Sequence, residues 1–167
     1  TFIATGRHIS EMVDLPIHDL EFEGYITLNG QYCYNRDGII YDLPIHSHDI
    51  HNILKLIDKH PFPCIFVEKE LMYINYHNDA VQIVQDAIST PLPDIQDINR
   101  AYSHPIYQVI PYDITSQKEN IILDIMPHCQ KTRWHELAID IIPKTGGKQN
   151  GIREVLKHYD IQPEETM

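Results

Sequence analysis

Apolar residues recur along this chain at two spacings, one typical of strands and the other of helices. Short apolar or alternating segments predict nine strands, at residues 2–4, 25–28, 32–34, 39–43, 64–67, 71–74, 106–110, 131–134 and 137–142. Asn29-Gly30 is a pair typical of tight turns, and Asn35-Arg36-Asp37-Gly38 is expected to close a hairpin. The last residues, 161–167, are interpreted as the approach to another strand.

Apolar residues spaced by three and four predict five helices between these strands. Four of them are expected to have their N-caps at Ser10, Ser47, Asn78 and Ser116, and the fifth follows Gly147. The first of them is expected to end before Pro16. The inward positions of the other four are predicted to be Ile50, Ile53, Leu54 and Ile57; Val81, Val84 and Ile88; Ile121, Ile122 and Ile125; and Ile152, Val155, Leu156 and Tyr159. Because strands and helices alternate, the sequence predicts an α/β protein with a hairpin-rich centre.

Composition narrows the choice of partners. The chain has 24 acidic and 13 basic residues, a formal net charge of −11, which argues against nucleic acid or an anionic membrane as partner. A small basic pocket for an anionic substrate stays compatible with that charge. No apolar segment approaches the ~20 residues of a membrane span, and no secretory leader is recognisable. The three cysteines are widely separated, so we expect reduced thiols in a cytoplasmic protein.

Thr5-Gly6-Arg7 follows the first predicted strand, at a position where open α/β sheets bind ligands. A hydroxyl, a flexible glycine and a guanidinium together suit an anion such as phosphate. An ordinary turn with a solvated arginine would give the same tripeptide. The tripeptide alone therefore leaves both interpretations open.

Gly146-Gly147-Lys148 precedes the last predicted helix, and free amides at a helix start attract anions. A nucleotide-binding phosphate loop is excluded here, because it would need glycine at Ile142 and a hydroxyl residue at Gln149. A glycine-rich turn with a surface lysine remains the alternative to an anion site.

Other common active-site patterns find little support. His46, His48 and His51 are clustered, but their offsets of two and five do not share one helix face, which disfavours a histidine metal site. A Ser-His-Asp hydrolase is also unsupported, because the chain has no Gly-x-Ser-x-Gly sequence.

Taken in order, several segments resemble one family. The sequence at 2–7 resembles the second signature of Cof-type phosphatases of the haloacid-dehalogenase superfamily, and 24–30 resembles the next core strand with its Asn-Gly turn. Residues 132–143 are similar to the return from the cap domain, 147–152 to the third signature, and 163–167 to the segment before the fourth. The resemblance covers the whole chain in collinear order.

The resemblance implies a Rossmann-type core interrupted by a large inserted α/β cap. The core would comprise residues 1–43, with the second signature, and residues 136–167, with the third. Residues 44–135 would form the cap, which closes over the core and selects the substrate.

The resemblance also implies hydrolysis of a small phosphorylated metabolite through an aspartyl-phosphate, with Mg²⁺. Thr5 would hydrogen-bond the transferring phosphoryl group, and Lys148 would offset its negative charge. The phosphate and substrate contacts are expected from Gly6, Arg7, Asn29 and Asn150. The sequence does not indicate the substrate or the oligomeric state.

The chain departs from the family pattern in two places that matter for chemistry. The first signature, with the nucleophilic aspartate, should precede Thr1, and the fourth, with the acidic metal ligands, should follow Met167. We therefore expect no metal ligands in this chain, an incomplete core, and no hydrolysis by these 167 residues alone. Gly147 also replaces the usual serine. A non-catalytic binding domain on the same scaffold, or a phosphotransferase or mutase, remains the alternative.

Overall fold

A computed structural model describes residues 1–12 and 20–166 of the chain. Within them the chain forms ten strands, which are β1 (Phe2–Ala4), β2 (Gly24–Thr27), β3 (Tyr32–Asn35), β4 (Gly38–Asp42), β5 (Cys64–Val67), β6 (Met72–Ile74), β7 (Asp94–Ile95), β8 (Gln108–Pro111), β9 (Cys129–His135) and β10 (Ala138–Pro143). The α-helices are α1 (Ser47–Lys59), α2 (Asp79–Ile88), α3 (Ser116–Ile125) and α4 (Lys148–His158). Short 3₁₀ helices occupy Ile9–Met12, Leu28–Gly30, Ile98–Tyr102 and Pro163–Glu165. The predicted α/β class is confirmed.

The chain divides into two compact units, each with its own sheet. The first unit combines residues 1–43 with 145–167, and the second comprises residues 44–144. The first boundary coincides with the one expected from sequence, but the second lies nine residues later than the expected position after His135. The reason is that β10 pairs with both β8 and β9, so residues 138–143 belong to the sheet of the second unit.

The sheet of the first unit has the order β1-β2-β3-β4, with β1 parallel to β2 and the other pairs antiparallel. Between β3 and β4, the Asn35 side chain accepts hydrogen bonds from the backbone N–H groups of Asp37 (2.9 Å) and Gly38 (3.0 Å), which confirms the predicted hairpin turn. This turn therefore fixes the register of the two strands.

Helix α4 packs on one face of this sheet. Ile26 of β2, Cys33 of β3 and Val155 of α4 form the buried cluster between them. At its edge the Phe2 and Tyr159 rings meet edge to face at 5.1 Å, and the Tyr159 hydroxyl accepts a hydrogen bond from the Asn35 amide at 2.8 Å. These contacts join two segments of the first unit that are far apart in sequence.

The second unit contains a six-stranded sheet in the order β7-β6-β5-β8-β10-β9. Its core includes Ile53 of α1, Ile122 of α3, Phe66 of β5 and Val109 of β8. The four inward positions predicted for α1 (Ile50, Ile53, Leu54 and Ile57) are all buried. The periodicity of apolar residues therefore identified correctly the face of α1 that packs on the core.

Three buried carboxylates in the second unit each have polar partners. Glu68 accepts two hydrogen bonds from the guanidinium of Arg100, at 2.6 and 2.9 Å. Glu119 of α3 pairs with Lys131 and Arg133 of the edge strand β9. Buried carboxylates are stable only with such compensation, so these pairs fix which elements can meet.

Asp49 is the third of these carboxylates and is fully buried in the first turn of α1. It accepts hydrogen bonds from the backbone N–H and the ring Nδ1 of His128, both at 3.0 Å, and from the Cys129 thiol at 3.5 Å. Burial alone would raise the pKa of Asp49, but the hydrogen bonds outweigh it and lower that pKa below its ordinary value. Asp49 thereby ties α1 to the connection between α3 and β9.

The structure corrects several details of the predicted helices. The N-caps of α1 and α3 are His46 and Thr115 rather than Ser47 and Ser116, which begin the helices instead. The predicted inward residues Ile88, Ile121 and Ile152 are exposed, because each lies outside the stripe that contacts the sheet. The prediction at Asn78 is confirmed, since its side chain accepts from the Val81 N–H at 3.1 Å.

Two ends of the chain also differ from expectation. The helix predicted from Ser10 appears as the 3₁₀ turn Ile9–Met12, and its predicted continuation to before Pro16 lies outside the described residues. Near the C-terminus, Pro163–Glu165 forms a 3₁₀ turn, in which the Glu165 carboxylate accepts from the Gln162 N–H at 2.8 Å; the strand expected to follow this segment stays a prediction. Strand β7 (Asp94–Ile95) lies in a segment for which no strand is predicted from the sequence. Among residues 1–12 and 20–166, no helix has the length and apolar character needed to cross a bilayer.

We expect replacement of Asp49 by alanine to lower the free energy of unfolding by about 2–3 kcal/mol at pH 7, because donors of His128 lose their acceptor. Since the folded pKa of Asp49 is depressed, its contribution is present above the unfolded pKa and is lost as the pH falls through the folded pKa. The difference between wild type and variant should therefore shrink below about pH 4. Urea titrations of wild type and variant, at pH 7 and below about pH 4, measure this difference in the free energy of unfolding.

The matched control is Asp58→Ala, which removes an exposed aspartate from the same helix. It should change stability by less than about 0.5 kcal/mol. Equal losses for the two variants at pH 7 would contradict the anchoring role of Asp49.

Candidate active site

Thr5, Gly6 and Arg7 continue from the end of β1. The Thr5 N–H donates to the Ile26 carbonyl at 2.8 Å, which extends the pairing of β1 with β2. The Thr5 Oγ1 accepts from the Arg7 N–H at 3.1 Å, so the hydroxyl is fixed in a tight local turn. With its oxygen oriented by Arg7, the hydroxyl hydrogen can donate to a ligand.

A left-handed turn at Leu28, Asn29 and Gly30 lies beside this segment. The three residues have consecutive positive φ angles of 51°, 56° and 85°. The Asn29 N–H donates to the Thr5 carbonyl at 3.3 Å, and a Cβ on Gly6 would lie 2.6 Å from the Asn29 side-chain oxygen. The turn predicted at Asn29-Gly30 is confirmed, and it holds Asn29 against the Thr5 segment.

Lys148 is the first residue of α4 and is exposed. It follows the N-cap residue Gly147, which has φ 114° and ψ 151° and, as a glycine, has no side chain with which to cap the helix. Lys148 therefore adds a positively charged side chain to the first turn of α4, where the helix dipole is also positive. This is an arrangement that attracts an anion.

The same left-handed turn also lies against the start of α4. A Cβ on Gly30 would be 2.5 Å from the Gly147 carbonyl oxygen and 2.8 Å from the Lys148 Cα. Only a glycine leaves enough space for this backbone approach. Within the first unit, the segment that follows β1, with Thr5, and the start of α4, with Lys148, therefore both contact this turn.

Asn150, predicted as a substrate contact, holds the turn before α4. Its side-chain Nδ2 donates to the carbonyl oxygens of Thr145 (2.5 Å) and Gly146 (3.1 Å). These bonds use both amide hydrogens, so a contact to substrate through the remaining oxygen stays a prediction. The other predicted residues, Gly6, Arg7 and Asn29, all lie next to Thr5 in this unit.

The residues of this site do not fit a Mg²⁺ ion. Magnesium prefers carboxylate, phosphate and water oxygens, whereas the site has a hydroxyl, a guanidinium and an ammonium. Within residues 1–12 and 20–166, no group of three or more His, Cys, Asp or Glu could hold a metal ion.

Thiol chemistry is also excluded as the basis of the site. Cys33, Cys64 and Cys129 are free and buried. Burial, with Glu154 nearby as a lesser cause, raises the pKa of the Cys33 thiol to about 12. Burial also raises the pKa values of the other two thiols, so none of the three is a thiolate nucleophile near neutral pH.

Sequence reasoning missed two residues of the turn network. Leu28 has a left-handed conformation, which costs a non-glycine residue roughly 1–2 kcal/mol, and its side chain is buried. Gly151 meets the turn from within α4. The glycine inside an otherwise helical pattern was a usable signal, whereas nothing in the pattern indicates an αL leucine.

Comparison with known proteins assigns the chain to a family. A sequence profile of the haloacid dehalogenase-like hydrolases matches residues 1–167. The chain therefore belongs to the haloacid dehalogenase-like hydrolase family, and its resemblance to Cof-type phosphatases is confirmed.

Three relatives illustrate the similarity. The candidate phosphatase YkrA of Bacillus subtilis (strain 168) is 27% identical over 165 residues, which cover 96% of this chain and 62% of YkrA. The HAD subclass IIB sugar phosphatase BT4131 is 32% identical with a TM-score of 0.82, covering 99% of this chain and 65% of that one. A structure from a study of a trigonal-bipyramidal intermediate in a phosphoryl-transfer superfamily is also 32% identical, with a TM-score of 0.84, covering 99% and 64%. The chain spans less than two thirds of each relative.

We expect Gly30→Ala to destabilise the protein by more than about 3 kcal/mol, because it combines a positive φ with a backbone clash. Gly38→Ala is the matched control, since Gly38 also has a positive φ (144°) but has open space around its Cβ position. The control should lose only the conformational cost, about 1–2 kcal/mol. Equal losses in urea titrations would show that the approach of Gly30 to α4 contributes nothing.

Proposed function

We propose that the full-length protein containing this chain is a phosphatase that hydrolyses the phosphomonoester of a small phosphorylated metabolite. The observation that carries the proposal is the left-handed turn at residues 28–30, which contacts both the Thr5 segment and the start of α4. This contact supports the proposal that a hydrogen-bond donor, a cation and a helix N-terminus act together on one phosphoryl group.

Each residue has a defined role in this proposal. The Thr5 hydroxyl donates a hydrogen bond to an oxygen of the transferring phosphoryl group. Lys148 offsets the negative charge that this group shares with the attacking aspartate implied by the family resemblance. Arg7 and Asn29 contact the rest of the substrate. Such preorganised donors stabilise the charge of the transition state more than water molecules would, since they need no reorganisation as the reaction proceeds.

The second unit, residues 44–144, is proposed to be the cap that selects the substrate. Its separate sheet and core support this assignment. Because BT4131 is a sugar phosphatase, sugar phosphates are the first substrate class to test. We also propose that the full-length protein requires Mg²⁺, held by carboxylates that the described residues do not supply.

The test is phosphate release from a panel of sugar phosphates by the full-length protein, with Mg²⁺ and with excess EDTA. Lys148→Ala should lower kcat by about 10²–10³-fold, because one charge-stabilising donor is lost. Lys157→Ala, which removes an exposed lysine from the last turn of the same helix, should leave kcat within about twofold.

Three outcomes would contradict the proposal. Unchanged turnover of the Lys148 variant would remove this lysine from the mechanism. Transfer of phosphate to an added sugar acceptor, rather than to water, would make the protein a phosphotransferase. A full-length protein that binds phosphate esters without turnover would be a binding domain on the same scaffold.

A further inference from the structure

Gly151 lies within α4, three residues after Lys148, and is buried. Residues three apart in a helix are neighbours on one face, so Gly151 and Lys148 belong to the same side of its first two turns. A Cβ on Gly151 would lie 2.6 Å from the Gly30 carbonyl oxygen and 2.7 Å from the Gly30 Cα. These neighbours are backbone atoms, which cannot move aside as a flexible side chain would.

The contact is reciprocal, because a Cβ on Gly30 would meet Gly147 and Lys148 at 2.5–2.8 Å. The turn and the helix therefore touch through backbone on both sides, with no side chain between them. Their separation is set by the absence of two Cβ atoms. Any added atom would push the first turn of α4 away from the turn at residues 28–30.

Helix stability does not explain a glycine here. Glycine in a helix interior is about 1 kcal/mol less favourable than alanine, and Gly151 is followed by a normal helical stretch up to His158. An alanine would be preferred at this position if space allowed it. The close approach to Gly30 is the feature of the structure that requires the glycine.

We propose that Gly151 is a positioning residue for phosphoryl transfer. It lets α4 approach the left-handed turn, and the turn in turn contacts the Thr5 segment, so Gly151 sets the place of Lys148 relative to Thr5. This inference rests on the proposed function. In this proposal Gly151 does not contact the substrate. Its replacement lowers the rate of phosphoryl transfer only by displacing Lys148.

The first measurement compares Gly151→Ala with Gln149→Ala in the full-length protein. The Gly151 variant should lose about tenfold in kcat/KM, because displacing α4 by about half an ångström misplaces the lysine. Gln149→Ala, at an exposed position of the same turn, should stay within about twofold of wild type. Equal activity of the Gly151 variant and wild type would overturn the proposal.

A double-mutant cycle separates positioning from general damage to the fold. In a Lys148→Ala background, Gly151→Ala should lower the residual kcat/KM by less than about twofold, because the group it positions is already absent. A tenfold loss in both backgrounds would assign Gly151 a purely structural role and overturn the proposal.

Crystal structures of wild type and the Gly151 variant test the positioning role without relying on enzymatic activity, so they can fail independently of the proposed function. If the full-length protein has no phosphatase activity, the proposed function fails, yet the structures still test the geometry. A Lys148 Cα displaced away from residues 28–30 supports the positioning role. A Lys148 Cα that superposes on the wild type overturns it.

Discussion

The approach of one left-handed turn to two separate backbone segments is the constraint on which the first unit depends. Leu28, Asn29 and Gly30 bond to the end of β1 on one side and touch the start of α4 on the other. The positive φ angles of Leu28 and Asn29 carry a conformational cost, which packing of the buried Leu28 side chain helps to offset. Because the contact is made by backbone, its geometry tolerates almost no change in side-chain size.

Sequence patterns predicted most of the fold because its elements have clear periodicity. The apolar stripe of α1, the Asn35 hairpin turn and the Asn78 cap are local features, and each follows from neighbouring residues. Residues 136–144 were expected to belong to the first unit, whereas the structure places them in the second. This difference arises because strand pairing is not a local feature. Strand pairing partners are set by the whole sheet, and the pattern of β10 alone does not say which sheet it joins.

The residues of the candidate site could be proposed from the sequence, but their arrangement could not. Thr5 and Lys148 were identified through resemblance, since a threonine after a strand and a lysine after two glycines are weak signals by themselves. Their connection through residues 28–30 depends on contacts between segments distant in sequence. The role of Asn150 in holding the preceding turn depends on side-chain direction, which spacing does not specify.

The discontinuity of the first unit has a consequence for the order of folding. Asn35 and Tyr159 are 124 residues apart, and all of the second unit lies between them. The second unit is continuous, so during synthesis it has all its residues before α4 leaves the ribosome. Closing so long a loop is entropically cheaper once the intervening chain is compact. The contact between residues 28–30 and α4 would then form after the second unit, and a chain stalled before α4 would expose one face of its first sheet to chaperones.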